Sequence, residues 1–337
     1  MSQTVSSEPA GSLRVGVVGV GMMGADHAER LANRVANATL VAVADPDQAR
    51  AEQLAARFPG VRVFDDPLDL IADDGVDAVL VASPGFVHTE QLLACIKAGK
   101  YTLCEKPLTM DAESSMQVLE AERAGSRPLI QVGFMRRFDP EYAAMKDLLD
   151  SGELGKLLVL HNVHRNKDVP ETFRSEMIVR DSLVHEVDVC RWLFGEEIVE
   201  ITVHSPLATS RAAEGVADPQ IAVFRMAGGG MATNEVFVKC AVGYEVRCEA
   251  TAELGNATVG LGSGVFVRSN NRWGGDVPDD FRVRFGAAYD REVQAWVDAS
   301  RRGEVTGPTT WDGHASTVVC EAGMESLKTG EPVKVAL

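Results

Sequence analysis

No apolar run in this 337-residue chain approaches the roughly 18 residues that a membrane-spanning helix needs. Basic residues are scarce: 33 Lys and Arg stand against 49 Asp and Glu, a net charge of −16. Such a balance lacks the basic footprint of a nucleic-acid binder and would be repelled by an anionic lipid surface. Cysteine is sparse and scattered. Cys95, Cys104, Cys190, Cys240, Cys248 and Cys320 form no C-x-x-C pair, which fits reduced, buried thiols of a cytoplasmic protein. There is no repeat period, low-complexity tract or long Pro/Ser linker. The first residues, MSQTVSSEPAGS, have neither a basic n-region nor an apolar h-region. They read as a disordered lead-in over 1–12, not a secretory signal.

What is present is ordinary globular material, 45% hydrophobic and 24% charged, in a length that suggests about two domains. From residue 13 to about 135 short β-branched runs alternate with helical patterns. LRVGVVG, TLVAVAD, VRVF, DAVLVAS, YTLC and LIQVGF are separated by helical stretches such as 47–57, 89–98 and 111–124. That alternation predicts βαβ units and a doubly wound parallel sheet. Beyond about residue 150 the rhythm changes. After LLVLHNVH (157–164) and a helical pattern over 180–194, extended runs follow one another to GVFVRS (264–269), with Gly228-Gly229-Gly230 joining two of them as a hairpin. This predicts an α+β second domain with a large, mostly antiparallel open sheet. Two helical patterns, near 285–302 and 311–329, close the chain. The expected domains are 13–135 and 136–337, with a shared helix near Pro140–Asp150 at the boundary and a C-terminal helix that can pack back on the first domain.

Gly19-Val20-Gly21-Met22-Met23-Gly24 is a G-x-G-x-x-G that follows a predicted strand and opens a predicted helix. Gly19 permits the tight turn, Gly21 lets the backbone approach a pyrophosphate at the helix N-terminus, and Gly24 allows close helix–strand packing. Asp45, 21 residues after Gly24, ends the second strand, where an acid would accept the ribose hydroxyls of NAD and repel the 2′-phosphate of NADP. Asp47 adds to that repulsion, and no Arg or Lys stands at 46–48 to offset it. Ser83-Pro84-Gly85 and Glu105-Lys106-Pro107 also end strands of this sheet, where ligands of such sheets bind. Lys106 reads either as a solvated surface lysine or as a cation held in one backbone path by its proline.

In the second half Asp181, His185 and Asp188 are spaced i, i+4, i+7. A helix would put them on one face, either as a solvated polar stripe or as carboxylates orienting a histidine for general-base work. His-x-x-Asp is a weak zinc pattern, and no G-x-S-x-G elbow exists for a hydrolase. Alternation places His164 and Asn166 on one face of their strand and Arg165 on the other. Arg136 and Arg137 follow the sixth strand.

Taken together, GVGMMG (19–24), CEKPL (104–108), QVGFMRRFDP (131–140), HRN (164–166), D-x-x-x-H-E-x-D (181–188), RWL (191–193), GYEVRCE (243–249) and AYDREVQAWVD (288–298) resemble the Gfo/Idh/MocA oxidoreductases over nearly the whole chain. Within that family the resemblance is to the bacterial inositol 2-dehydrogenase branch. It implies an N-terminal Rossmann domain, a C-terminal sheet domain through which family members form tetramers or dimers, NAD as cofactor, and no metal. It assigns a catalytic triad to Lys106, Asp181 and His185, with the Lys106–Pro107 peptide often cis. Cofactor contacts fall on Gly19, Gly21, Met22, Met23, Gly24, Asp45, Ser83, Pro84, His88, Glu105 and Lys106. Substrate hydroxyl contacts fall on Arg136, His164, Asn166, Asp181, His185, Asp188 and Tyr244. The implied reaction oxidises a secondary alcohol of a cyclic polyol, first of all myo-inositol to 2-keto-myo-inositol. Other inositol isomers, aldoses or deoxy sugars, and a non-catalytic NAD-binding regulator, are the alternatives. One departure stands out: the branch carries Ser-Trp-Gly after the fourth strand, whereas this chain has Ser83-Pro84-Gly85-Phe86.

Overall fold

The computed structural model describes residues 11–262 and 267–337. Residues 1–10 of the expected lead-in and the first half of the GVFVRS run lie outside the described residues. The chain forms two compact units. One comprises the residues up to Gly133 and Asp290–His314, the other Phe134–Tyr289 and Ala315–Leu337.

The first unit holds six parallel strands: β1 (Leu13–Val18), β2 (Ala38–Ala44), β3 (Arg62–Phe64), β4 (Ala78–Val81), β5 (Tyr101–Glu105) and β6 (Ile130–Gly133). Their order is β3-β2-β1-β4-β5-β6. β1 and β4 are apolar and fully buried at Val15, Val17, Val18 and Ala78–Val81, as strands covered on both faces must be. The strand order reverses between β1 and β4, where Val18 pairs with Val81, so the turns after these strands leave the sheet together at its carboxyl edge. The helices between strands begin where the sequence supplies caps. Asp47, Asp66 and Asp111 each accept a backbone N–H of the helix they precede, and Pro67 sits at a first helical position. Gly99, at φ +68°, ends the helix His88–Ala98 in the left-handed conformation that glycine adopts without strain.

The second unit contains β7 (Leu157–Arg165), β8 (Ile198–His204), β9 (Gln220–Met226), β10 (Met231–Phe237), β11 (Glu245–Ala252), β12 (Gly255–Val259), the small hairpin β13 (Val267–Ser269) and β14 (Arg272–Gly274), and β15 (Val333–Lys334). Seven of these form one sheet in the order β12-β11-β7-β10-β9-β8-β15, in which only β7 and β10 pair in parallel. Residues of β9 and β11 alternate between buried and more exposed, the mark of a sheet packed on one face. β9 and β10 are joined by the expected glycine hairpin, closed by a bond from Met226 N–H to Gly230 O. On the covered face Asn162 of β7 donates to Asn234 of β10 at 2.8 Å and to Cys190 Sγ at 3.3 Å, tying the sheet to the helix Val184–Phe194.

That helix departs from the expected pattern. It is continuous with a π-helical segment, Ile178–Leu183, so the α-helical spacing assumed from Asp181 onward does not hold through its first turn. Among the described residues no helix is long and apolar enough to cross a membrane. All six cysteines are free and buried.

Candidate functional site

In the first unit, Gly19 follows β1 at φ +81°, and a Cβ there would lie 2.5 Å from the Ser83 backbone nitrogen. A Cβ on Gly24 would meet the Gly19 carbonyl oxygen at 1.8 Å. Only glycine lets this turn and this helix approach so closely. Gly21 differs, because nothing lies within 4 Å of where its Cβ would be. It precedes the helix Met22–Asn33, which has no side-chain cap and no acidic residue in its first turn. The N–H groups at this helix start are therefore open to an anion. The tight turn at Gly19 and the close helix–strand approach at Gly24 read from the sequence match this geometry.

Asp45, at the end of β2, is buried. Its Oδ2 accepts the Val20 N–H at 2.8 Å and its Oδ1 accepts the Asp47 N–H at 2.9 Å. A cavity of about 820 Å³ opens here, bounded by Gly19, Gly21, Met22, Met23, Asp45, Ser83 and Pro84. A concavity, an uncapped helix start and a carboxylate at the strand end fit the diphosphate and ribose of NAD. Phe86 of the departing 83–86 turn lines it too, as does Arg50, to which the sequence reading gives no role. Arg50 lies three residues beyond Asp47, outside the window searched for a compensating base.

The turns after β4 and β5 are tied together by His88. Its Nε2 lies 2.8 Å from Ser83 O and its Nδ1 2.9 Å from Pro107 O. His88 is buried and lines no part of the cavity, so its place is that of a brace between turns. Burial pushes its pKa down, while the facing carbonyls oppose that shift. Glu105 is likewise internal: its Oε1 lies 2.7 Å from His27 Nε2. Burial alone would raise the Glu105 pKa, but the His27 contact and the adjacent Lys106 charge outweigh it and hold the carboxyl below its ordinary range. Lys106 is half-buried, and the Lys106–Pro107 peptide is cis.

In the second unit a second cluster forms. His164 of β7 and His185 of the helix Val184–Phe194 lie with ring centroids 6.1 Å apart, and the Tyr244 ring is 5.9 Å from His164. Burial pushes the Tyr244 phenol up to about 12, so it stays a neutral donor. Asn166 follows β7, and its Oδ1 is buried with no hydrogen-bond partner among the described residues. Asp181 lies in the π-helical segment, with both oxygens 2.8 Å from the Arg180 guanidinium.

Two further expected substrate contacts are committed within the protein. Arg136, fully buried, donates to Glu186, and its Nη2 lies 3.2 Å from His164 Nδ1. Asp188 receives Arg137 at 2.5 and 3.0 Å. Arg136 thus bears on the cluster directly through His164. Glu186 was not singled out in the sequence. It sits between two chemically suggestive positions of the D-x-x-x-H-E-x-D segment, and no periodicity marks it.

The family model described as "Oxidoreductase family, NAD-binding Rossmann fold" matches residues 13–134, and that of the "GFO/IDH/MocA C-terminal domain" matches 142–258. An inositol 2-dehydrogenase of Mycolicibacterium smegmatis is 53% identical over 333 residues, covering 96% of each chain. One of Rhodococcus erythropolis is 51% identical, covering 96% of this chain and 95% of its own. Among solved structures, myo-inositol dehydrogenase from Lactobacillus casei in complex with NAD(H) and myo-inositol superposes with a TM-score of 0.94 at 34% identity, covering 96% of this chain and 97% of that one. Scyllo-inositol dehydrogenase from the same organism, with bound NAD(H) and scyllo-inositol, gives 0.89 at 26% identity, covering 97% and 100%. With both family models placed in sequence along the chain and relatives at half identity over nearly all of it, the chain belongs to the Gfo/Idh/MocA oxidoreductase family.

Proposed function

We propose that the protein is an NAD-dependent oxidoreductase that oxidises a secondary hydroxyl of a cyclic polyol, with myo-inositol as substrate and 2-keto-myo-inositol as product. The observation that carries this reading is the grouping of His164, His185 and Tyr244 in the second unit. It is a set of hydroxyl-binding donors and acceptors, suited to an uncharged polyol. The full-length similarity to proteins named inositol 2-dehydrogenase supports it.

NAD⁺, when bound, supplies the hydride acceptor. In the first unit Gly21 and the helix start hold the diphosphate, and Asp45 accepts the ribose hydroxyls. His185 takes the proton of the reacting hydroxyl as general base. Lys106 donates to the same oxygen and stabilises the negative charge that develops there. Asp181 orients the base. His164, Asn166 and Tyr244 hydrogen-bond the remaining hydroxyls, with Arg136 supporting them through His164. On this reading 13–135 serve as cofactor domain and 136–337 as substrate and oligomerisation domain. We further infer a cytoplasmic homotetramer. The free buried cysteines and the exposed Leu158, Ile221 and Met231 of the large sheet support this, and light scattering tests it.

The decisive experiment follows reduced-cofactor absorbance with a panel of inositols, aldoses and deoxy sugars. Turnover of myo-inositol with NAD⁺ should lead the panel, and His185→Ala or Lys106→Ala should lower kcat by about 10²–10⁴. Near-normal turnover in either variant would falsify the assigned roles. Preferred turnover of another ring would move the substrate while keeping the chemistry, and no turnover of any would favour a regulator.

A further inference from the structure

Asp45 and Asp47 do not stand alone at the end of β2. Asp47 caps the helix Gln48–Ala55 through the Arg50 N–H at 3.1 Å, which fixes Arg50 in the first turn. From there the guanidinium folds back, with Nη2 3.0 Å from Asp47 Oδ2 and Nη1 3.6 Å from Asp45 Oδ2. A cation in a helix's first turn opposes the macrodipole, so this placement draws on the two carboxylates. The Arg50 side chain is still 50% exposed, and it lines the same cavity as Asp45 and Gly21. Five donors in a planar fork are present, and a phosphate is the ligand that such a fork takes two-handed.

We propose that Arg50 is a cofactor-selecting residue whose phosphate-binding capacity is held in check by Asp45 and Asp47. With both carboxylates in place the guanidinium is their counter-ion. Two negative charges then face one positive charge, and Asp66 in the cavity wall adds a third negative one. A ribose with free hydroxyls is accepted there and a 2′-phosphate is turned away. When either carboxylate loses its charge, the same guanidinium becomes the partner of the 2′-phosphate. The selectivity against NADP⁺ is therefore a balance within one Asp-Asp-Arg group, not the work of an aspartate alone. This rests on the reading of the cavity as the NAD site.

The test measures NAD⁺ and NADP⁺ dissociation constants by calorimetry for the full-length protein, Asp45→Asn, and Asp45→Asn/Arg50→Gln. The single variant should raise the NADP⁺-to-NAD⁺ affinity ratio by about tenfold or more, and the added Arg50→Gln should remove most of that gain through weaker NADP⁺ binding. An equal gain in both variants, or none in Asp45→Asn with NAD⁺ still bound, overturns the proposal. If Asp45→Asn does not fold, Asp47→Asn with and without Arg50→Gln makes the same comparison, since asparagine keeps the helix cap. Failure of the unaltered protein to bind NAD⁺ would instead count against the cavity reading itself.

Discussion

Oε2 of Glu186 lies 3.1 Å from Nδ1 of His164, and the other oxygen of that carboxylate takes the buried guanidinium of Arg136. Nδ1 of His164 also lies 3.2 Å from Nη2 of Arg136, so the carboxylate and the guanidinium together fix the ring from one side. Burial alone would raise the Glu186 pKa, but Arg136 and His164 outweigh it and hold the carboxyl below its ordinary range. A carboxyl depressed by folding stabilises the native state above its unfolded pKa, about 4.3, and loses that contribution as pH falls through the folded value. Replacing Glu186 by Gln leaves Arg136 buried without its counter-charge, at a cost of about 3–5 kcal/mol. Urea unfolding should report that loss at neutral pH, and a shallower decline in stability than the unaltered protein shows below about pH 4.

Gly21 and Gly24 stand in one motif yet predict opposite failures. At Gly24 an added methyl collides with the Gly19 carbonyl at 1.8 Å, so Gly24→Ala should cost about 1–3 kcal/mol or more in thermal or urea unfolding. At Gly21 the same methyl meets nothing within 4 Å, and the backbone sits at φ −65°. Gly21→Ala should keep its stability within about 0.5 kcal/mol. It should also weaken NAD⁺ about tenfold, because the methyl stands between a phosphate and the helix amides. A Gly21→Ala protein that unfolds early, or binds NAD⁺ normally, contradicts this division.

Much of this was legible in the sequence because its signals are local. The G-x-G-x-x-G turn, the Asp45 strand end and the alternation of buried strands follow from periodicity and the conformational range of glycine, and the structure has them where expected. What escaped needed three dimensions. Arg50 reaches Asp45 only because a capped helix turn folds its side chain back. Arg136 reads from the sequence only as a residue at a strand's carboxyl end, yet it is buried against Glu186, fifty positions along the chain. The π-helical segment at Ile178–Leu183 leaves no trace in a hydrophobic pattern that tolerates one extra residue per turn.

The ring nitrogens of His88 face carbonyl oxygens of two different turns, Ser83 and Pro107, and the single N–H of the neutral ring donates to one of them. Its removal takes that donor from a buried carbonyl and opens the space between the two turns. His88→Ala should therefore destabilise the protein by about 1–3 kcal/mol. The same change should raise KM for NAD⁺ more than it lowers kcat, since the Ser83 turn borders the cavity beside Asp45 while His88 itself does not. Scanning calorimetry and a steady-state NAD⁺ titration check the two halves. A fall in kcat alone would place His88 in the chemistry instead.

The turn that departs from the inositol branch ends in Phe86, whose side chain is 74% exposed yet lines the cofactor cavity. An exposed phenyl contributes little to folding, so Phe86→Ala should shift the unfolding free energy by no more than about 0.5 kcal/mol. Covering that ring when a ligand binds is worth about 1.5–3 kcal/mol, roughly ten- to a hundredfold in affinity. NAD⁺ binding should weaken by that factor in Phe86→Ala, and Phe86→Trp should hold it. If the dissociation constant is unchanged in both, the ring does not close over the cofactor, and the departure at 84–86 has no part in holding it.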